Sequence, residues 1–346
     1  MSGPVTLNDV AREAGVSLAT ASRAINGSAN RTVRADLRER VLAAASKLRY
    51  SPNANAQAMA RGRTTSLGLV VHDIADPYFS SIAAGVTIAA DRAGLAVTLA
   101  STQHDPSREV ELVDLMQRQR ARAIILAGGR LDDTEAIDRL RRALADYRNG
   151  GGAVALIGQP ALGVDTVVIG NVAGAHALAV ALLARGYRRF AVLAGPANNL
   201  TARDRLAGFT AALAEAGVTV DPALVLASGF TRDGGYDAMH RLLRSGARPE
   251  LVFAVNDVMA LGAIAAARET GLDVPRDLAV AGFDDISTLR DVTPQLTTVR
   301  VPLVDIGIAA TELAMAERSD EPRLVHVDGV VVLRASTPGI AAVHSA

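Results

Sequence analysis

Polar and aromatic residues collect where this chain is predicted to leave its β-strands, and those residues have chemistry to offer. Asp73-Ile74-Ala75-Asp76-Pro77-Tyr78-Phe79 follows an apolar run and opens a helix. Arg205 stands shortly after the run Leu193-Ala194-Gly195-Pro196. Asn256 and Asp257 follow a strand predicted over Leu251–Ala254, and Asp284 and Asp285 follow one over Ala279–Ala281. An arginine fork beside a carboxylate grips vicinal hydroxyls by charge-assisted hydrogen bonds. Rings at Tyr78, Phe79 and Phe230 offer flat apolar faces to a sugar or a base, although Phe79 reads equally well as core. Asp257 and Asp285 are expected to cap the helices that follow them.

The parts needed to make and break bonds are missing. Six histidines (72, 104, 176, 240, 326 and 344) show no metal-ligand spacing, and there is no cysteine to act as nucleophile or ligand. The chain has no G-x-S-x-G elbow, no phosphate-binding G-x-x-x-x-G-K-[ST] loop and no G-x-G-x-x-G after a strand. Gly150-Gly151-Gly152 precedes a strand, so it reads as a turn and not as an anion cradle. Recognition is expected, with no catalysis, metal or cofactor.

The elements that position these residues begin with an uneven charge distribution. The 346 residues carry 36 bases and 36 acids, but residues 1–63 hold ten Lys/Arg against four Asp/Glu. The head is therefore +6 and the remainder −6, the footprint of a phosphate-binding head on a body that avoids nucleic acid. The first fifteen residues contain acids and no apolar stretch, and the apolar run 172–184 is too short to span a bilayer. A soluble, cytoplasmic protein is expected.

Within the head, Thr6-Leu7-Asn8-Asp9 is a capping box with Asp at its fourth place, and Leu7, Val10, Ala11 and Ala14 follow at helical spacing. Gly15 ends that helix, and Ser17 caps a second running from Leu18 to about Ile25. Ala21, Ala24 and Ile25 face helix one, which leaves Leu18, Ala19, Thr20, Ser22 and Arg23 outward. This is the helix-turn-helix pattern, and small or hydroxyl side chains suit close approach to a major groove. Thr6, Ser17 and Asn26 complete the candidate DNA contacts. A third helix, about residues 35–48, closes the unit. After Ser51-Pro52-Asn53 the stretch Ala54–Ala60 is too short for a stable helix alone and is expected to fold only when docked.

The run Val5-Thr6-Leu7-x-Asp9-Val10-Ala11-x-x-Ala14-Gly15-Val16-Ser17-x-Ala19-Thr20-x-Ser22-Arg23, continued by Tyr50-x-Pro52-Asn53, resembles the head of the lac repressor/galactose repressor family. The resemblance implies that the second helix reads the major groove. It also implies a hinge helix over Ala54–Ala60 in the minor groove, with Asn53, Ala56 and Gln57 beside the groove and Met59 in the place of a wedging leucine. Gln57 replaces a usual arginine, residues 27–32 form a longer loop, and Arg34 stands where a serine cap is usual.

Beyond residue 64 the alternation of strand and helix predicts an α/β body of two doubly wound parallel sheets. The resemblance implies a periplasmic-binding-protein-like fold with the ligand between its lobes, Arg205, Asn256 and Asp284 lining the cleft. The expected domains are a helix-turn-helix over residues 1–50, a hinge over 51–63 and a core over 64–346. The first lobe is expected at about 64–186 and 298–327, the second at 187–297 and 328–342. The family also implies a regulator, most simply a repressor of a palindromic operator released by a sugar or polyol. An activator, or a repressor answering to a nucleoside or nucleobase, uses the same parts. A solute-binding protein would need a signal peptide and no basic head. A homodimer is expected, with contacts from Ile82 and Val86 and from the helix around Ala260–Ala267. The tail lacks a leucine heptad for a tetramer. Gly170 stands where the family usually carries Asp.

Overall fold

The computed structural model describes residues 5–26, 33–51 and 63–340. They fall into two compact units, Met1–Thr65 and Ser66–Ala346. In the first, α1 (Leu7–Ala14) starts at the capping box: the Thr6 hydroxyl accepts from the Asp9 amide, and the Asp9 carboxylate accepts from the Thr6 amide at 3.0 Å. Gly15 stops it in the left-handed region at φ 64°. Helix α2 (Leu18–Asn26) and α3 (Ala35–Lys47) pack on it around Val10, Ala14, Ala21, Ala24, Val41 and Ala44. Arg40 donates to the Ala14 carbonyl at 2.6 Å, and Lys47 pairs with Glu13 at 2.6 Å. Arg34 makes no side-chain cap for α3 and pairs instead with Asp36 at 2.8 Å.

The second unit is built on two parallel sheets. The larger has six strands in the order β11-β5-β4-β3-β1-β2. These are β1 (Ser66–Val71), β2 (Ala96–Ser101), β3 (Ala123–Ala127), β4 (Ala153–Ile157), β5 (Asp165–Ile169) and β11 (Leu324–Val327). The smaller has the order β7-β6-β8-β9, from β6 (Phe190–Gly195), β7 (Val225–Ala227), β8 (Leu251–Ala254) and β9 (Ala279–Ala281). β10 (Thr298–Arg300) and β12 (Val330–Val332) form an antiparallel ribbon, and bridges at Ala281–Thr297 and Asp284–Arg300 lay β10 beside the end of β9.

Burial on both faces explains why β1, β3, β4, β6 and β8 read as unbroken apolar runs. Leu67, Leu69 and Val71 of β1 meet α4 (Pro77–Arg92) and α11 (Leu303–Met315). Val70, Ile124 and Leu126 face the opposite layer, α5 (Ser107–Arg118) and α6 (Thr134–Asn149). On the smaller sheet, α7 (Asn171–Ala184) packs against α8 (Leu200–Glu215), and α9 (Arg232–Arg244) against α10 (Asp257–Glu269).

Three expectations are corrected here. Helix α7 packs on α8 and on the β10–β12 ribbon, so the first crossing lies at Gly170 and not near residue 186. Ile82 and Val86 are fully buried within the monomer, because Gly85 and Gly307 let α4 and α11 approach backbone to backbone. Ala260, Ala263, Ala266 and Ala267 are likewise buried within the monomer, on a helix that Gly235 and Gly262 bring close to α9. Neither set is free to meet a second subunit.

Candidate DNA-reading helix and effector cleft

Helix α2 presents an outward surface of modest reach. Leu18 is 47% exposed and Ala19 lies beside it. Ser17 caps the helix, accepting from the Thr20 amide at 3.1 Å, and its hydroxyl lies 2.8 Å from that of Thr20. Asn26 donates to Ser22 at 3.2 Å, while Arg23 folds back onto the Ala19 carbonyl at 2.9 Å. Thr6 is engaged in its own cap. Leu18 and Ala19 therefore offer apolar contact of the kind a thymine methyl accepts, with Ser22, Asn26 and Arg23 as polar neighbours. Asn53, Ala56, Gln57 and Met59 lie outside the described residues.

In the body, strand ends from both lobes converge on a cleft. Its centre is Arg205, 2% exposed on α8. The guanidinium donates to Asn171 at 2.8 Å, to the Val255 carbonyl at 2.7 Å and to Asp284 at 2.7 Å, and lies 3.9 Å from the centre of the Phe283 ring. Asp284 is held at φ 122° and Asp285 at φ 56°, both in the region that side chains avoid. Asn256 is the N-cap of α10, accepting from the Met259 amide at 2.9 Å, and its amide nitrogen is 3.5 Å from the Phe230 carbonyl. Tyr78 and Phe79 meet edge to face with ring centres 5.0 Å apart. Arg205, Asp284, Asn256, Tyr78 and Phe79, with Asp76, His72, His104 and Phe230, wall a small inner cavity of about 50 Å³.

Asp73 does not reach that wall. Its carboxylate accepts from the Ala75 amide at 2.9 Å, and Asp76, which caps α4 through the Tyr78 amide at 2.9 Å, takes the place at the cleft. Asp257 and Asp285 are not caps either. Asp257 is fully buried and accepts from Thr298 at 2.7 Å and from the Ile286 amide at 3.0 Å. Asp285 pairs with Arg300 at 2.6 Å and Arg334 at 2.7 Å. Both aspartates fasten the crossover strands. At the entry to α7, the Asp328 carboxylate fills the space a side chain at Gly170 would need.

Beyond the inner cavity lies a larger chamber of about 340 Å³ that the sequence reading missed. Phe230, His72 and His104 line both spaces, and the chamber adds Glu109, Arg130 and Ile137. Arg130 donates to Glu109 at 2.7 Å; His72 stands 3.7 Å from the same carboxylate. The only available signal was Gly128-Gly129-Arg130, a charged residue at the end of β3 like those at the other strand ends. The lobes meet beside it. Leu131 bridges Asn199, the Asp132 amide donates to the Asn198 carbonyl at 2.7 Å, the Leu200 amide donates to the Arg130 carbonyl at 2.9 Å, and Arg203 pairs with Asp132.

Burial decides the titration of these groups. It raises Asp284, which Arg205 pulls back to about 6. It raises Asp257 to about 8, reinforced by the charge of Asp284. Burial would also raise Glu109, but Arg130 and His72 hold it at about 2. His72 is pushed down by burial against the pull of Glu109.

Residues 6–53 match the bacterial regulatory proteins of the lacI family, and residues 179–337 match a periplasmic binding protein-like domain. The transcriptional regulator GalS of Salmonella typhimurium is 36% identical over 313 residues, 90% of this chain and 89% of its own. The chain belongs to the lacI family. This family member is therefore a DNA-binding transcriptional regulator with a ligand-binding core, and not an enzyme. Two solved structures share its build. A complex of the regulator CelR with cellobiose covers 96% of this chain and 99% of its own at 30% identity and a TM-score of 0.70. A lac repressor dimer bound to operator and the anti-inducer ONPF covers 97% and 100% at 27% identity and a TM-score of 0.81. Among the described residues no helix is long and apolar enough to cross a membrane.

Proposed function

We propose that this lacI-family regulator is a cytoplasmic, homodimeric repressor whose operator affinity is switched by a neutral sugar or polyol held between the core lobes. The observation that carries the effector class is the buried Arg205–Asp284 pair at a cleft corner walled by Tyr78, Phe79 and Phe230. A fork, a carboxylate and aromatic faces are what a polyhydroxylated ring needs. The cellobiose bound to CelR and the ONPF bound to the lac repressor support it. On DNA, α2 reads the major groove through Leu18, Ala19, Thr20, Ser22, Arg23 and Asn26. Met59, outside the described residues, is the candidate minor-groove wedge.

Two heads are needed to span a palindrome. With Ile82 and Val86 consumed inside the monomer, the dimer face passes to the outward side of α4, where Ile88 is 41% exposed. The edge strand β2 packs beside it, and its Leu99 is also 41% exposed. Footprinting of the purified protein on the DNA upstream of its own gene, with and without a panel of sugars and nucleosides, tests this reading. One protected palindrome, lost with one sugar, is expected. Protection that no sugar alters, or that only a nucleoside alters, contradicts the effector class.

A further inference from the structure

In the head, α1 passes into α2 through the turn Gly15-Val16-Ser17. The backbone closes this turn with two bonds: Gly15 donates to the Arg12 carbonyl at 3.2 Å, and Val16 donates to the Ala11 carbonyl at 3.0 Å. Neither uses the carbonyl of Ala14, the last residue of α1 and one of those that a helix end leaves without an intrahelical partner. Arg40, reaching across from α3, supplies the donor. Its Nη2 lies 2.6 Å from that oxygen, and a Cβ built on Gly15 would meet the same nitrogen at 2.9 Å, so the guanidinium rests on the turn itself. Its positive charge also faces the negative end of the α1 dipole. Val41 and Ala44, buried in the core of the head, fix the part of α3 from which Arg40 extends.

Two helical turns further along α3, Lys47 meets α1 in a different way. It pairs with the Glu13 carboxylate at 2.6 Å, with the two side chains 72% and 38% exposed. Such a pair can open without moving the backbone. Arg40 holds a backbone atom next to the residue where the chain changes direction, and Leu18, the first residue of α2, follows only four positions after Ala14. A small rotation of the turn is therefore carried directly into the end of α2 that meets the bases.

We propose that Arg40 is a positioning residue for DNA reading. Its bond to the Ala14 carbonyl sets the angle at which α2 leaves α1, and with it the approach of Leu18, Ala19 and Thr20 to the base edges. Arg40 acts through the turn, without touching base or phosphate.

The test compares Arg40→Met, which keeps the stem and removes the donor, with Arg40→Lys, which keeps a charged donor. Lys47→Met removes an equal charge from the same helix and serves as the control. Anisotropy titrations of the full-length proteins use the footprinted operator and a scrambled duplex of equal length, at several salt concentrations and well below each thermal midpoint. Hydrogen exchange of residues 14–20 reads the turn without DNA. Arg40→Met is expected to bind operator about tenfold more weakly, the loss of one charged hydrogen bond. Its affinity for the scrambled duplex and its salt dependence should match those of Lys47→Met, exchange over residues 14–20 should quicken, and Arg40→Lys should recover part of both losses. Equal weakening on the two duplexes, with the slope of log affinity against log salt smaller by about 0.9 than in Lys47→Met, would make Arg40 a phosphate contact and overturn the assignment. A lower thermal midpoint with unchanged operator affinity, or unchanged exchange over residues 14–20, overturns it too. Should Arg40→Met fail to fold, Arg40→Lys carries the same comparison, and operator affinity and exchange both equal to wild type count against the assignment.

Discussion

Two arginine–carboxylate pairs lie in one cleft, equally buried and equally close at 2.7 Å, yet they titrate in opposite directions. Glu109 is held at about 2, whereas Asp284 is pushed up to about 6. Burial raises both, and the neighbours decide how much of that rise survives. Glu109 has Arg130 and the imidazole of His72 to offset it, while Asp284 has Arg205 against it and Asp76 adding to it. Pairing alone therefore does not set the charge of a buried carboxylate; the surrounding set of charges does. The inner corner is poised to change protonation near neutrality. The outer pair is a fixed charge pair on the wall of a roomier chamber.

Breaking the inner pair should have the largest effect. Arg205→Ala strands Asp284, Asn171 and the Val255 carbonyl together, and removing one partner of a buried pair costs about 3–5 kcal/mol. Urea unfolding should register that loss, and effector response should disappear while the folded fraction still binds operator. Unchanged effector affinity in the variant would remove Arg205 from the site.

Next comes Asp257, whose pKa of about 8 lies far above its ordinary 3.8. A raised carboxyl pKa contributes stability that is complete at acid pH and drains as pH rises toward 8. Asp257→Asn mimics the neutral form, so from pH 6 to 8 its unfolding free energy should fall less than that of the wild type, by on the order of a few kcal/mol. Parallel profiles would show that Asp257 is ionised throughout.

A smaller effect should separate the two ends of the cleft by pH. Ionised Asp284 accepts ligand hydroxyls better than its neutral form, so effector affinity should climb several-fold from pH 5 to pH 7 as the group at about 6 ionises. Titration calorimetry across that range checks it, and a falling or flat affinity would place the ligand away from Asp284. Smallest of all, Lys47→Met removes the exposed tie to Glu13 and should leave both thermal midpoint and operator affinity unchanged.

Local signals made much of this legible. The Thr6–Asp9 capping box and Gly15 set α1, and the apolar runs at 251–254 and 279–281 become strands with the expected ends. Arg205, Asn256, Asp284, Tyr78, Phe79 and Phe230 meet at one cavity because each follows a strand or opens a helix at the same end of a sheet. What failed depended on contacts far apart in the chain. Asp257 reads as a cap until Thr298, 41 residues away, is seen to bond it. Ile82 and Val86 read as an outward face because nothing local announces that Gly307 admits a helix against Gly85. Helix α7 is apolar nearly all round, so its periodicity could not say which sheet it covers. Glu109 and Arg130 are ordinary surface residues by type, and only tertiary packing buries them together.

The central claim, that a sugar in this cleft controls operator affinity, is tested most directly by an anisotropy titration of the footprinted operator with the protein, alone and saturated with a sugar that binds it. The account predicts operator affinity about tenfold or more weaker with the sugar, within the usual range of allosteric coupling, and no such shift in Arg205→Ala. Identical operator curves with and without every sugar that binds the protein would contradict it.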